Sequence, residues 1–155
     1  MRYTLEMDLD IPRDKVIEYF DNPDNLPKWQ PTLISFDHMS GEPGQAGAKT
    51  QLKYKMGKRE VEMIETIVTR NLPDEFTGTY EAKGVWNEVI NYFHEIDDGQ
   101  RTRWVFETEF KCSGMIRIMA FFMPGMFRKE SLKNMERFKE FAEAEYRAEI
   151  AEDLS

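Results

Sequence analysis

Residues 126–150 read MFRKESLKNMERFKEFAEAEYRAEI, and within them Phe127, Leu132, Met135, Phe138, Ala142 and Tyr146 recur at spacings near three and four. Lys, Arg and Glu fill the positions between them. That period marks one long amphipathic helix with an apolar stripe along one side. It should reach about Ile150, with residues 151–155 as a frayed tail. A stripe of this length must be buried against another layer, so the rest of the chain has to supply one.

Upstream the period changes from near 3.6 to 2. Leu52, Tyr54 and Met56 alternate with Gln51, Lys53 and Lys55, and Tyr3, Leu5, Met7 and Leu9 alternate with Arg2, Thr4, Glu6 and Asp8. Strands are expected at 33–39, 50–56, 59–70, 76–82, 86–96 and 102–112, with a first one near the N-terminus. Turn signals separate them, among them Gly57-Lys58, Lys83-Gly84 and Asp97-Asp98-Gly99. Connections this short make neighbouring strands antiparallel. Between the first and second strands, Val16, Ile17 and Phe20 mark a short helix, with Asp10 as its N-cap and Pro12 in its first turn. A second helical turn around Asp24–Lys28 leads to Trp29-Gln30-Pro31. The reading is α+β: a seven-stranded curved antiparallel sheet around a long C-terminal helix, order β-α-α-β6-α, in one domain spanning 1–150. A curved sheet and a single helix seldom fill the space between them, so a pocket is expected there.

The bulk numbers narrow the function. A chain of 155 residues, 41% hydrophobic, has enough material for a core without staples. A net charge of −8 argues against nucleic acid, which needs a concentrated basic face, and against steady attachment to anionic lipid. Cys112 stands alone, so no internal disulfide forms, and the sequence suits a reducing, cytoplasmic setting. The most apolar run, 115–127, carries Arg117 and is broken at Pro124-Gly125. It is too short for stable membrane insertion. His38 and His94 lack metal-ligand spacing, and no phosphate loop or nucleophile elbow is present, so neither metal nor cofactor is expected. A monomer or weak homodimer is the expected state.

Three phrases then point to a family. Ile11-Pro12 at the first helix, Asp24-Asn25-Leu26-Pro27-Lys28-Trp29-Gln30-Pro31, and Gly99-Gln100-Arg101-Thr102-Arg103-Trp104 before the last strand resemble the START/SRPBCC superfamily. The chain is most similar to its polyketide cyclase/dehydrase and lipid-transport group, over residue 1 to about 143. The resemblance implies the helix-grip fold and hydrophobic ligand binding. It leaves the chemistry open, since such folds serve carriers, receptors and cyclases alike.

Candidate ligand-binding residues follow from projecting large side chains onto the concave face. The sheet offers Tyr54, Tyr80, Trp86, Tyr92, Trp104 and Phe106, and the helical side offers Phe122, Phe127 and Met135. Trp29, an anchor for the short helices, can add wall. Any one of these serves equally as plain core, but three inward tyrosines each need a hydrogen-bond partner. Strand 86–96 is almost equally apolar in both phases. With Trp86, Ile90 and Tyr92 inward, Glu88 joins the pocket and His94 shares its phase; with Val89 and Phe93 inward, Glu88 is solvated. The first phase is taken here. Glu65, in phase with Val61, Met63 and Ile67, is open in the same way. No residue is assigned as catalytic. Met115, Met119, Phe121, Phe122, Met123 and Met126 form either a gate hinged at Pro124-Gly125, which with an exposed outer face becomes a partner- or membrane-touching patch, or a simple bend into the long helix. The expected function is binding of an apolar or aromatic small molecule, lipid-, quinone- or polyketide-like, as carrier or sensor. The alternative is a cyclase or dehydratase using a cavity Glu and Tyr.

Overall fold

The computed structural model describes residues 1–155. In chain order the elements are β1 (Arg2–Leu9), α1 (Arg13–Phe20), a 3-10 turn (Pro23–Asn25), α2 (Leu26–Trp29), β2 (Leu33–Ser40), β3 (Lys49–Met56), β4 (Arg59–Asn71), β5 (Glu75–Ala82), β6 (Val85–Ile96), β7 (Arg101–Cys112), α3 (Gly114–Phe122) and α4 (Met126–Asp153). The seven strands form one antiparallel sheet in the order β1-β7-β6-β5-β4-β3-β2. This is the helix-grip arrangement. The hairpin at Gly57-Lys58 is a two-residue turn between the paired Met56 and Arg59, and Gly57 takes φ 64°. A first turn residue with positive φ matches the strand twist, which is why glycine serves there.

Two boundary expectations need correction. Pro12 itself caps α1, and its carbonyl accepts from the Lys15 and Val16 amides at 3.1 Å each. Asp10 instead accepts from Arg101 Nε at 2.7 Å, because a nearby guanidinium is a stronger partner than a helix amide. At the other end α4 continues to Asp153, three residues past Ile150, with good helix formers Ala151 and Glu152 and a Leu154 amide bonded back to the Ile150 carbonyl.

α4 crosses the concave face and buries Met135, Phe138 and Ala142 completely. It lies against β1, α1 and α2, and the buried cluster it joins takes no residue from β3, β4 or β5. The core therefore gathers on one side. Trp104 and Phe93 stack at 6.1 Å, Phe138 meets Trp104 edge-on at 5.4 Å, and Phe20 reaches Phe93 at 5.1 Å and Phe138 at 5.7 Å. Each fully buried ring contributes about 1.5–3 kcal/mol, with offset and edge-to-face geometry adding to that. Asp21, at the end of α1, accepts two hydrogen bonds from the Arg70 guanidinium at 2.5 Å each, tying the short helices to β4. The packed core thus lies under β1, β6 and β7, and the concave residues of β3–β5 stand outside that cluster.

Candidate functional site

The ladder pairings place concave-facing side chains in rows that cross the strands. One row reads Thr50, Glu65, Tyr80, Asn87 and Phe110, a single residue from each of β3 to β7. The next, nearer the core, reads Ile67, Gly78, Val89, Thr108 and Tyr3. Apart from Phe110, the first row is polar. Its members are separated in sequence and meet only because four registers bring them together.

Glu65 and Tyr80 are direct cross-strand neighbours. Burial pushes the Glu65 carboxyl above its ordinary range, and hydrogen bonding from the Tyr80 hydroxyl offsets part of that rise. Tyr80 is driven well up, first by burial and then by the adjacent Glu65 charge. Tyr54 is raised by the same two causes in the same order, and it donates to Gln30 Oε1 at 2.7 Å. Asn87 donates to Thr108 Oγ1 at 2.7 Å and to the Glu109 carbonyl at 3.0 Å. These side chains are half-buried. Gly78 matters for their packing: a Cβ there would sit 3.4 Å from the Tyr80 hydroxyl, so the Tyr80 ring lies over the glycine. A carboxyl with a raised pKa beside two neutral phenols can both accept and donate hydrogen bonds, and it can exchange a proton.

The expected site residues divide. Tyr54 and Tyr80 lie half-buried on the concave face, outside the main core. Trp104 and Met135 are concave but belong to the solid core, with 2% and 0% exposure. Phe106 packs against that core, and Phe127 stacks on Phe110 at 4.6 Å. Trp29 is buried against Phe138, and no protein group accepts from its indole Nε1. Phe122 does not face the sheet: it is 75% exposed on α3, which touches the body mainly through Ile116 against the Gly84 turn.

Trp86, Glu88 and Tyr92 require correction, because β6 takes the other phase. Phe93 pairs with Trp104, Asn91 with Phe106 and Val89 with Thr108, so the odd-numbered residues face inward. Trp86 lies on the convex face beneath the Lys111 ammonium at 4.7 Å, and Tyr92 stacks there on His94 at 6.3 Å. Glu88 borders a shallow convex depression of about 370 Å³ with Arg2, Glu107 and Glu109. The inward asparagines are what the pattern concealed. Asn91 accepts from Trp104 Nε1 at 2.9 Å and donates to the Phe76 carbonyl at 3.3 Å, which lets an amide sit in the core. Asn87, Gln30 and Gly78 were also missed. Only the register, not any residue's own character, puts them at the site.

A curved antiparallel sheet gripping a long C-terminal helix defines the helix-grip class of folds. The chain belongs to the family described as polyketide cyclase / dehydrase and lipid transport, whose model matches residues 1–143. Solved structures agree on the fold. The Zhui aromatase/cyclase from Streptomyces sp. R1128 superposes with a TM-score of 0.76 at 12% identity, covering 96% of this chain and 96% of that one. A protein from Thermus thermophilus gives 0.73 at 13% identity, covering 93% and 98%. Norcoclaurine synthase from Thalictrum flavum gives 0.69 at 10% identity, covering 91% and 85%. At these identities the likeness concerns the fold alone. No curated protein matches the sequence. No helix is long and apolar enough to cross a membrane.

Proposed function

We propose that this chain binds an amphipathic small molecule, lipid-, quinone- or polyketide-like, in the cleft between α4 and strands β3–β5, and acts as its carrier or sensor. The carrying observation is the row Thr50, Glu65, Tyr80 and Asn87 on the concave face, outside the apolar cluster that packs beneath α4. The apolar body of a ligand would lie along Met63 and Ala82, and its hydroxyl or carbonyl would meet Glu65 and the two tyrosines. The chain would work as a cytoplasmic monomer or weak homodimer. Native mass spectrometry of the purified protein, with solvent extraction and a binding panel of lipids, quinones and aromatic polyketides, tests the reading. A bound mass or a hit from the panel is expected. A chain that holds nothing and takes up no member of the panel contradicts it.

One observation favours a second reading, a cyclase or dehydratase. Glu65 holds its proton more tightly than usual and stands directly beside Tyr80. Such a pair suits proton removal next to a substrate carbonyl, with Tyr80 donating a hydrogen bond to the oxygen that gains charge. Turnover of a poly-β-ketone mimic that disappears in Glu65→Gln would establish the enzyme. Binding without turnover would leave the carrier.

A further inference from the structure

The helix α3 breaks the usual rule for apolar helices. Its sequence GMIRIMAFF is apolar on every side except at Arg117, and such a helix is ordinarily buried in a core or in lipid. Here none of its residues is buried. Met115 is 77% exposed, Phe121 80% and Phe122 75%, with Ile118, Met119 and Met123 also open. Ile116 against the Gly84 turn is its principal anchor. Next to it runs a groove of about 520 Å³ lined by Met123, Pro124, Gly125 and Met126 together with Lys129, Lys133 and Glu130, whose carboxylate lies 3.8 Å from the Lys133 ammonium.

The charge around this segment runs opposite to the chain as a whole. Residues 114–133 carry Arg117, Arg128, Lys129 and Lys133 against one acid, Glu130. That local +3 sits in a chain of −8, so the remainder carries −11. Large apolar side chains beside lysine and arginine are what an interfacial helix presents to an anionic bilayer. A second copy of the chain fits poorly, since two-fold pairing through this face would set the same cations against one another.

We infer that α3 and the first turns of α4 form a docking surface for anionic lipid membranes. Phe121, Phe122 and Met115 enter the acyl boundary, and Arg117, Lys129 and Lys133 meet the headgroups. The acid-rich remainder is repelled by the same surface, which selects this face. Attachment is transient, because the helix is short and only one element takes part. It does not depend on what the cleft holds.

Flotation with vesicles of phosphatidylcholine alone, and with phosphatidylglycerol added, tests this. The full chain should float with the anionic vesicles, not the neutral ones, and rising salt should release it as screening shortens the reach of the cations. The double variant Phe121→Asp with Phe122→Asp should bind roughly tenfold more weakly for each ring lost. It should keep its thermal midpoint, because both side chains are already exposed. Charge reversal by Lys129→Glu with Lys133→Glu should abolish the preference for phosphatidylglycerol. Absence of binding to anionic vesicles at low salt overturns the inference, as does unchanged binding by the phenylalanine variant. A concentration-dependent dimer lost in that variant, without vesicle binding, also overturns it and assigns the face to a second copy.

Discussion

Truncating Asn91 to alanine tests the register of β6, on which the whole assignment of the cleft rests. Asn91 is 5% exposed and Trp104 is 2% exposed. The variant removes the acceptor of the 2.9 Å bond from Trp104 Nε1 and the donor of the 3.3 Å bond to the Phe76 carbonyl. A buried donor stranded without a partner costs about 1–3 kcal/mol, and loss of the second bond about 1 kcal/mol more. The expected destabilisation by Asn91→Ala is therefore roughly 2–4 kcal/mol, which for a domain of this size lowers Tm by roughly 5–15 °C. Glu88→Ala, three residues earlier and on the convex face, should stay within about 0.5 kcal/mol of the parent. Urea denaturation of both variants beside the parent, followed by near-UV circular dichroism of the tryptophans, gives the two numbers. If Asn91→Ala proves neutral and Glu88→Ala is the costly change, the strand faces the other way and the cleft described above is wrong.

Three further outcomes follow from the same geometry. Glu65 has a folded-state pKa raised by burial, so the stability it contributes is fully present below the unfolded carboxyl range and is lost as pH rises through its folded value. Glu65→Gln should match the parent at low pH, gain on it as pH rises from the unfolded carboxyl range to the folded value, and hold a constant lead above that, about 1.4 kcal/mol for each unit of elevation; a difference flat with pH would place the carboxyl in solvent. Gly78→Leu should leave the fold intact but weaken ligand uptake by about tenfold or more, since its Cβ already meets Tyr80 and the rest of the side chain must occupy the cleft. Calorimetric titration with a ligand found by extraction reads this, and undiminished affinity contradicts it. Asp21→Asn breaks the paired Arg70 contact at the end of α1 and should cost roughly 1–3 kcal/mol in thermal unfolding. An unchanged midpoint would show that the link between the short helices and β4 contributes nothing.

The fold was legible because its two periods are clean. The α4 stripe through Met135, Phe138 and Ala142 is the buried face, and β7 alternates Thr102, Trp104, Phe106 and Thr108 inward against Arg103, Glu107 and Glu109 outward. β6 was not legible, because both of its faces carry large apolar residues. Its phase depends on the turn that follows. A three-residue turn at 97–99 would pair Ile96 with Gln100 and set Tyr92 opposite Trp104. The turn spans four residues, 97–100, so Ile96 pairs with Arg101 and Phe93 takes that place. One residue of turn length thus moved Trp86, Glu88 and Tyr92 to the convex face. The polar row at the site is invisible along the chain for a related reason: Thr50, Glu65, Tyr80 and Asn87 share nothing in sequence except the registers that align them. The whole-chain charge likewise concealed the basic neighbourhood of α3.

Photoaffinity labelling tests the central claim most directly. A lipid-like probe carrying a diazirine is irradiated with the protein, and the modified residues are mapped by peptide mass spectrometry. Labels should fall on the concave wall of β3–β5, on Tyr54, Met63, Glu65 and Tyr80, and be competed away by extracted ligand. Labels on Trp86, Glu88 or Tyr92, with none on the concave wall, would contradict the account.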